Sequence, residues 1–574
     1  MCEASSHHAS SFRLLELPHE LQFSILKHLS VRSLIACQQA GPALASIIND
    51  NIRTLYQLQL GLAGMINGPE GDDSKGLLYE RLEALCAFTT AWESGEHPVH
   101  EITLASSQQS GHSMWHYIPP RIALDVSCID KQAGSLIIHR PPGVLSGISR
   151  NEYIYEGLAA RINLRSITGF HVDLAQDLFI WCDGITSTPR PSLHFCSLSN
   201  HFGPHHDAAR PTISSCFPTY MEWFPFLEIQ VLGDIVAWSM YGGDTGDQAT
   251  DLLVINWKTG VVIMHMHFPN DRIYIMLISR TQLCALHCDT MSIYLYTLNP
   301  CASADSKVTT FEDSFAVLRL PACHDRVVRK VVYGDIGFPP AYPDGTSYHF
   351  RHDPTHSLLV VTINLDYALD DAESDPEHRP TGTERFLLFI PVGTLLREHH
   401  FADPHDQYAT AFPPGVIQGS GSEPHRTIPW ERWGPSGTRM ISLQSARSDL
   451  ESDINAPPSI LGAHVALIAY RPSDEQYVAT IYEVHPLADA TAPLPMAKAE
   501  STGVELGQEV RRPRSEGDYI RGSRTWKDDI HTTFPYKTTT RVLPHCDVDG
   551  RPRYMDQRNI LLTHDGLVHI KNDE

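Results

Sequence analysis

Three cysteine and histidine residues in one short segment have the types needed to bind a metal ion. Cys284 and Cys288 lie on either side of His287, but no second pair of ligands follows at zinc-finger spacing. The alternation of Cys284, Leu286 and Cys288 also fits one buried face of a β-strand, because successive side chains of a strand point to opposite sides. We therefore predict buried free thiols here rather than a metal site.

Two histidine-rich stretches supply further metal-ligand types, but their spacing does not specify a site. The sequence contains no His-Glu-x-x-His, no Gly-x-x-x-x-Gly-Lys and no Gly-x-Ser-x-Gly motif. Although catalytic triads can be assembled from distant residues, the sequence gives no catalytic residue, metal or cofactor to name, and we expect that the protein is not an enzyme. The two stretches are His201, His205, His206 and Asp207, and His399, His400, His405 and Asp406.

Composition narrows the classes of protein and of partner. The 574 residues are 42% hydrophobic and 19% charged, which is typical of a globular protein with several domains. The formal net charge of -23 would repel phosphate backbones, so we do not expect a nucleic-acid partner. Neither a secretory leader nor an apolar run long enough to span a bilayer is evident. We expect a cytoplasmic and/or nuclear protein with reduced cysteines and no membrane contact.

The N-terminal region has the spacing of short amphipathic helices. Leu21, Ile25, Leu26 and Leu29 recur at i, i+4, i+5 and i+8, which places them on one apolar helix face. Pro18 precedes them and suits a first helical turn, because its missing N–H is not needed there. We predict that this helix starts near Pro18.

Two more short helices follow this one. Ser30 can cap a helix over residues 31–39, and Gly41-Pro42 separates it from a third over residues 43–49. Helices this short cannot bury their apolar faces alone. They need a partner, either within this chain or in another protein.

These residues resemble the F-box, a helical module of ubiquitin-ligase receptors. The resemblance lies in a Leu-Pro pair, a Glu two residues after the Pro, an Ile-Leu pair and a Leu-rich second helix, whereas Gly41-Pro42-Ala43-Leu44 replaces the Cys-basic-Trp stretch that is common in the third helix. Residues 52–65 and 79–92 are similar to the segment after the F-box in fungal F-box proteins that have a β-propeller-like C-terminal region. The resemblance implies that eight residues dock on the Skp adaptor and, through it, on a cullin: Leu17, Pro18, Leu21, Ile25, Leu26, Leu29, Leu34 and Ile35.

The remainder of the chain has a β-rich pattern. Beyond about residue 102, short apolar runs alternate with turn residues, and Trp257-Lys258-Thr259-Gly260 joins two such runs in a way that resembles a turn of a propeller blade. A spacing of roughly 40 to 50 residues allows about six to eight blades. The C-terminal run around Asp565-Gly566 predicts a hairpin that could complete the sheet begun at the start of the β region.

The predicted fold is thus α+β and multidomain. It has an F-box at residues 12–50, a helical linker at 51–100 and a large all-β, propeller-like domain at 101–574 with mobile insertions near 366–379, 400–425 and 486–517. We expect a receptor that binds the adaptor through its helices and an unknown protein target through its β domain. Two alternatives remain: a non-catalytic propeller scaffold whose N-terminal helices pack intramolecularly, and a propeller enzyme.

Overall fold

The computed structural model combines a helical N-terminal part with a large β-rich part, which makes the chain an α+β protein. No helix in the described ranges is both long enough and apolar enough to cross a membrane. The structure describes residues 14–69, 75–104, 126–130, 134–143, 145–164, 166–183, 191–215, 226–242, 249–268, 273–299, 309–338, 348–368, 381–396, 426–443, 458–471, 476–488, 518–521, 523–543 and 560–572.

Helices dominate the first hundred residues. Pro18 is the N-cap of the first α-helix, as its position predicts, and the Ser30 hydroxyl accepts a hydrogen bond from the backbone N–H of Ser33 to cap the second. The α-helices of the described ranges are α1 (His19–Leu26), α2 (Val31–Ala40), α3 (Pro42–Asp50), α4 (Ile52–Leu62), α5 (Lys75–Ser94), α6 (Leu158–Arg161), α7 (Val392–Leu396) and α8 (Trp430–Gly437). Short 3-10 helices span Leu14–Glu16, Leu174–Gln176, Phe311–Asp313 and Pro354–His356.

The β-rich part is a series of open sheets, most of them antiparallel meanders of consecutive strands. Counted over the described residues, seven sheets have three or more strands, and we number them I to VII in order of chain position, VII being formed by the C-terminal hairpin. Sheet I contains β3 (Val126–Asp130), β4 (Ser135–Arg140) and β5 (Asn151–Tyr155). Sheet II contains β6 (Ile167–Asp173), β7 (Leu178–Asp183), β8 (Ser192–Ser197), β9 (Gly203–Pro204) and β10 (Thr212–Ser214). Sheet III contains β11 (Phe226–Leu232), β12 (Ile235–Gly242), β13 (Ala249–Asn256) and β14 (Val261–Phe268).

The later sheets continue this pattern with a few strands taken from farther along the chain. Sheet IV contains β15 (Ile273–Ser279), β16 (Gln282–His287), β17 (Ser292–Thr297), β18 (Ala316–Arg319) and β23 (Arg426–Ile428). Sheet V contains β19 (Val327–Ile336), β21 (Leu358–Ala368), β22 (Thr381–Pro391) and β24 (Arg439–Ser442), and sheet VI contains β25 (Ser459–Leu461), β26 (His464–Arg471), β27 (Gln476–Val484) and β30 (Tyr536–Val542). Sheet VII contains β2 (Val99–Leu104), β31 (Ile560–Leu562) and β32 (Leu567–Asn572). The two-stranded sheets pair β1 (Met65–Asn67) with β20 (Phe350–His352), and β28 (Asp518–Ile520) with β29 (Ile530–Thr532).

Consecutive sheets share hydrophobic clusters, which explains why so many strands are continuous apolar runs. Leu178 of sheet II and Trp238 of sheet III lie in one cluster, and Ala237 of sheet III lies in the next cluster with Ile275 of sheet IV. A sheet that is covered on both faces has no polar side to alternate with. Corresponding clusters join I to II, IV to V, V to VI, and VI to VII.

The C-terminal hairpin contacts both the strand that follows the helical part and sheet I. β32 pairs in parallel with β2, which confirms the prediction that the terminal hairpin completes the sheet begun at the start of the β region. In the turn of this hairpin, the Asp565 carboxylate accepts hydrogen bonds from the backbone N–H groups of Leu145 (2.7 Å) and Ser146 (3.1 Å), which lie between β4 and β5 of sheet I. Sheet VII is therefore tied to sheet I.

The predicted insertions fall mostly outside the described residues. Asp366 and Ala368 belong to β21, while residues 369–380 and 400–425 and most of 486–517 are not described. The domain boundaries at residues 50 and 100 remain predictions, although the structure shows the predicted linker in detail: it holds α4, the short strand β1 and α5.

Candidate adaptor-docking module

The first helix presents two apolar side chains to solvent. Leu21 and Ile25, one turn apart on α1, are 51% and 36% exposed, and Pro18 at the N-cap is also exposed. Exposed aliphatic side chains on one stripe of a helix are able to contact the groove or helix of a partner. These three residues are the part of the predicted adaptor surface that faces outward.

The other predicted contact residues are divided between the interior and the edge of the module. Leu26 and Leu34 are completely buried, and they pack with Ile48 of α3 and Leu58 of α4. We call these four residues the module core, and α1–α3 the helical module. Leu26 and Leu34 hold the helices together, so in this conformation they cannot touch a partner. Leu17, Leu29 and Ile35 are half-buried.

A buried glutamine on α1 fixes the chain that enters the helix. The Gln22 side-chain amide donates to the backbone carbonyl of Leu17 at 2.7 Å and lies 3.4 Å from that of Leu15. It therefore holds the short 3-10 turn against α1. Leu15 on this turn is 51% exposed and adds a third outward aliphatic side chain. Sequence periodicity missed both residues, because Gln22 is polar and Leu15 precedes the helix.

A shallow groove runs between the N-terminal turn and α3. Its volume is about 430 Å³, and its lining is mixed, since aliphatic and aromatic side chains alternate with His19 and Asp50. Together with the exposed stripe of α1, it gives the module a surface that is partly apolar and partly polar, as protein interfaces are. The remaining lining residues are Leu15, Leu17, Gln22, Phe23, Ala43, Ser46 and Ile47.

Helix α4 carries the helical module on one face and the β-rich part on another. At about 3.6 residues per turn, Leu58 and Leu62 share one side of α4 and pack on the module, whereas Tyr56 and Leu60 point to the opposite side. That second side belongs to a large cluster, which we call the junction core, formed by α4, α5, β20 and strands of sheets VI and VII. One helix thus joins the two parts.

The contact between α4 and α2 is close. A Cβ atom added at Gly61 would lie 2.3 Å from a methyl carbon of Val31, far inside the contact distance of two carbon atoms. Gly61 therefore permits the two helices to approach, and its lack of a side chain sets their separation.

Polar contacts lock α4 and α5 to the β-rich part. The Tyr56 hydroxyl donates to the His349 carbonyl at 3.0 Å, and the Arg81 guanidinium donates to Asn67 Oδ1 at 2.8 Å. Burial raises the pKa of Tyr56 to about 12, although the nearby Arg81 opposes the rise. Strand β1 adds a short antiparallel ladder with β20. We call α4, β1 and α5 the arm that bears the helical module. These contacts anchor the arm to the β-rich part.

The sequence motifs that suggested metal chemistry do not form a site in the described structure. Cys284, Leu286 and Cys288 are all buried in the cluster between sheets IV and V, which confirms the prediction of a buried strand face, and burial raises the pKa of Cys284 to about 12. Among the residues described, no three or more His, Cys, Asp or Glu side chains are arranged to hold a metal ion.

The two histidine-rich stretches have different outcomes. His205 is buried, and its ring nitrogens contact the Gln176 carbonyl (3.0 Å) and the backbone N–H of Asp207 (3.1 Å), which is a structural role in a turn. His206 is exposed beside Asp207. The stretch with His399, His400, His405 and Asp406 lies outside the described residues.

Comparison with known proteins gives only distant structural likenesses. No family model and no curated protein sequence matches the chain. An oligogalacturonate lyase in complex with manganese is 11% identical, with a TM-score of 0.26, over 73% of this chain and 96% of its own. Hsv2 of Kluyvelomyces marxianus is 9% identical, with a TM-score of 0.12, over 41% of this chain and 87% of its own. At such TM-scores neither likeness bears on the fold or the activity of this chain.

Proposed function

We propose that this chain is a substrate receptor of a Skp–cullin–F-box type of ubiquitin ligase. The observation that carries the proposal is the pair of exposed aliphatic residues on α1, Leu21 and Ile25, at the positions where the sequence resembles an F-box. The helical module that presents them is folded around its own core and mounted on the anchored helix α4. Burying two such side chains in a partner would contribute roughly 3 to 5 kcal/mol.

We further propose that the β-rich part is a β-propeller whose seven sheets are the blades, and that it captures the target protein. Support comes from the order of the sheets: each shares a hydrophobic cluster with the next, and Asp565 of sheet VII is hydrogen-bonded to the segment between two strands of sheet I. Such a ring leaves loop faces available for extended recognition of a protein.

Adaptor binding is tested by co-purification of the full chain with the Skp adaptor. Leu21→Asp together with Ile25→Asp should reduce the affinity by roughly 100-fold or more, because two buried aliphatic contacts are replaced by desolvated carboxylates. Lys27→Glu is the matched control: Lys27 is an exposed residue at the end of α1, so this variant adds negative charge without removing an apolar contact and should still bind.

Two results would refute adaptor binding through this surface. One is a wild-type chain that fails to bind the adaptor at micromolar concentrations. The other is a double variant that binds as well as the wild type. Thermal unfolding of both variants should match the wild type, because the substituted side chains are exposed.

A scaffold without an adaptor is the second candidate, and the complete burial of Leu26 and Leu34 favours it in part, since these residues are used internally. If the helical module serves only to stabilise the β-rich part, removal of residues 1–50 should lower the melting temperature of that part markedly. A docking module predicts little change, because the module core shares only α4 with the rest of the chain.

A further inference from the structure

Four histidines from distant parts of the chain are buried together where α5 meets sheets VI and VII. His97 follows α5, His352 is in β20, His464 begins β26 and His564 lies in the turn between β31 and β32. Each is at most 3% exposed. The His352 ring centroid lies 5.2 Å from that of His464 and 4.9 Å from that of His564. We call these four residues the histidine cluster.

Trp92, in the last turn of α5, connects the helix to this cluster. Its indole stacks on the His97 ring at 4.6 Å with an interplanar angle of 16°, and it lies 4.8 Å from the His464 ring. One turn earlier, Phe88 packs edge-on against Phe350 of β20 at 5.3 Å. The end of α5 therefore rests on imidazole and phenyl rings.

The cluster contains ring nitrogens that lack a hydrogen bond of normal geometry. Among the described residues this is true of both nitrogens of His97 and of His352, of Nδ1 of His464 and of Nε2 of His564. Buried polar atoms without partners are costly, and adding a proton would place a full charge in the same dry environment, which is costlier still. The buried rings of His97 and His352 are therefore stable in this environment only while they are neutral.

Burial lowers the pKa of three histidines in the cluster. It lowers the pKa of His97 to about 3, with help from Arg541 and His464, and it lowers the pKa of His464 to about 4. Burial also lowers the pKa of His352, although the backbone of His564 opposes this fall.

Both positively and negatively charged groups surround the cluster. Arg541 of β30 donates to the His97 carbonyl, and Lys537 lies near His464, so two cations oppose a further positive charge. Glu483 and Asp565 oppose this effect as carboxylates: Glu483 acts on His464 but is paired with His485 at 2.8 Å, and Asp565 contacts His564 Nδ1 at 3.2 Å. The carboxylates thus act on His464 and His564, whereas the charged neighbours of His97 (Arg541 and His464) and of His352 (His564 and His464) disfavour a further proton.

We propose that the histidine cluster is an acid-sensitive latch: when the end of α5 separates from sheets VI and VII, His97, His352 and His464 become accessible and take up protons in mildly acidic conditions, which stabilises the released state and loosens the arm that carries the helical module. The inference does not depend on what the module binds. It follows from the position of the cluster, between the helical part and the β-rich part. In neutral conditions the latch is closed and the arm is held in one orientation.

Hydrogen exchange of the full chain at pH 7.5 and 5.5, corrected for the intrinsic pH dependence of exchange, tests the latch. Residues 75–97 should exchange at least tenfold faster at pH 5.5, whereas β12 and β13 in sheet III should not change. His97→Phe should shift the opening of α5 to lower pH, because a phenyl ring cannot take up a proton. The substitution should be tolerated, since the ring at this position makes no hydrogen bond that phenylalanine would lose. His97→Asn is the second variant if the phenyl ring does not fit, and His206→Asn, at an exposed histidine, is the matched control and should behave as the wild type.

Three outcomes would overturn the proposal. The first is equal pH dependence of exchange in α5 and in sheet III. The second is an unchanged opening of α5 in both His97 variants. The third is saturable protection of α5 by added Zn²⁺ at pH 7.5, reversed by a chelator, which would make the cluster a metal site instead of a latch.

Discussion

Two leucines on α4 allow the link between the helical module and the β-rich part to be tested. Leu58 is completely buried in the module core, and Leu60, two residues later, is 7% exposed in the junction core. The same chemical change, Leu→Ala, therefore removes contacts from one core in the first variant and from the other core in the second.

The expected size of the effect follows from the burial of Leu58. Replacing a fully buried leucine by alanine costs about 3 kcal/mol, within a range of roughly 2 to 5 kcal/mol set by how far the site collapses. The module core has only four fully buried members, Leu26, Leu34, Ile48 and Leu58, so the loss should appear as local opening of α1–α3. A 3 kcal/mol loss corresponds to roughly 100-fold more of the open form.

Hydrogen exchange resolved by segment is the measurement for this pair of variants. Leu58→Ala should increase exchange in α1–α3 by about 100-fold and leave the strands of sheets VI and VII unchanged, while Leu60→Ala should increase exchange in α5 and those strands. If the open form becomes populated, the apparent affinity for the adaptor falls by the same factor as the folded fraction. The reasoning is refuted if the two variants give the same exchange pattern.

Three further predictions concern the same region. Gly61→Ala should destabilise the chain by about 1 to 3 kcal/mol, because its methyl group meets the Val31 side chain, and Val31→Ala should restore the melting temperature in part. Tyr56→Phe should cost about 1 kcal/mol in urea unfolding, because the His349 carbonyl loses one of its two donors and keeps the backbone N–H of Gly68, whereas Tyr79→Phe, at an exposed tyrosine, should have no effect. The folded-state pKa values of His97 and His464 lie below the unfolded value of about 6.5, so the unfolded chain binds more protons as the pH falls through that value. From these two groups the free energy of unfolding should be about 3 kcal/mol lower at pH 5.5 than at pH 7.5, and pH-independent stability over this interval would contradict the prediction.

The helices at the N-terminus show what periodicity can predict and what it cannot. The starts of α1–α3 were predicted to within a residue or two, because Pro18, Ser30 and Gly41-Pro42 are strong boundary signals. The end of the first helix was not, since α1 ends at Leu26 and Leu29, which was predicted on its face, lies beyond it. Periodicity placed Leu21, Ile25, Leu26 and Leu29 on one face, but it could not say which part of that face is covered. The structure places Leu26 inward and leaves Leu21 and Ile25 exposed, because the side chains that cover Leu26 come from α2, α3 and α4.

The β-rich part was predictable strand by strand but not sheet by sheet. The strands β7, β12 and β21 begin with short apolar runs of the kind that the sequence pattern predicts, and each is the second strand of its sheet in chain order. Pairings such as β1 with β20 join residues almost three hundred positions apart. No local pattern encodes such a pairing, since it depends on how the whole chain returns to the helical part.

The histidine cluster, like the pairing of β1 with β20, joins residues that are distant in the sequence, whereas the histidine-rich stretches are local. The sequence draws attention to histidines that are neighbours along the chain, such as His205 and His206, and the first of these has a structural role in a turn. His97, His352, His464 and His564 lie in four distant segments of the sequence and meet only because α5, β20 and sheets VI and VII converge. A group that depends on convergence of this kind becomes visible only in three dimensions.

Helix α4 and the histidine cluster together determine how a change at the end of α5 can affect the helical module. The module touches the rest of the chain through α4, and α4 is held against the β-rich part by the junction core, to which α5 contributes Phe88 and Trp92. A change at the end of α5 therefore reaches the module without altering the side chains that would contact an adaptor. Because Leu21 and Ile25 are far along the chain from His97, adaptor affinity and arm orientation should respond to different substitutions: Leu21→Asp should alter binding at any pH, and His97→Phe should alter only how exchange in α5 depends on pH.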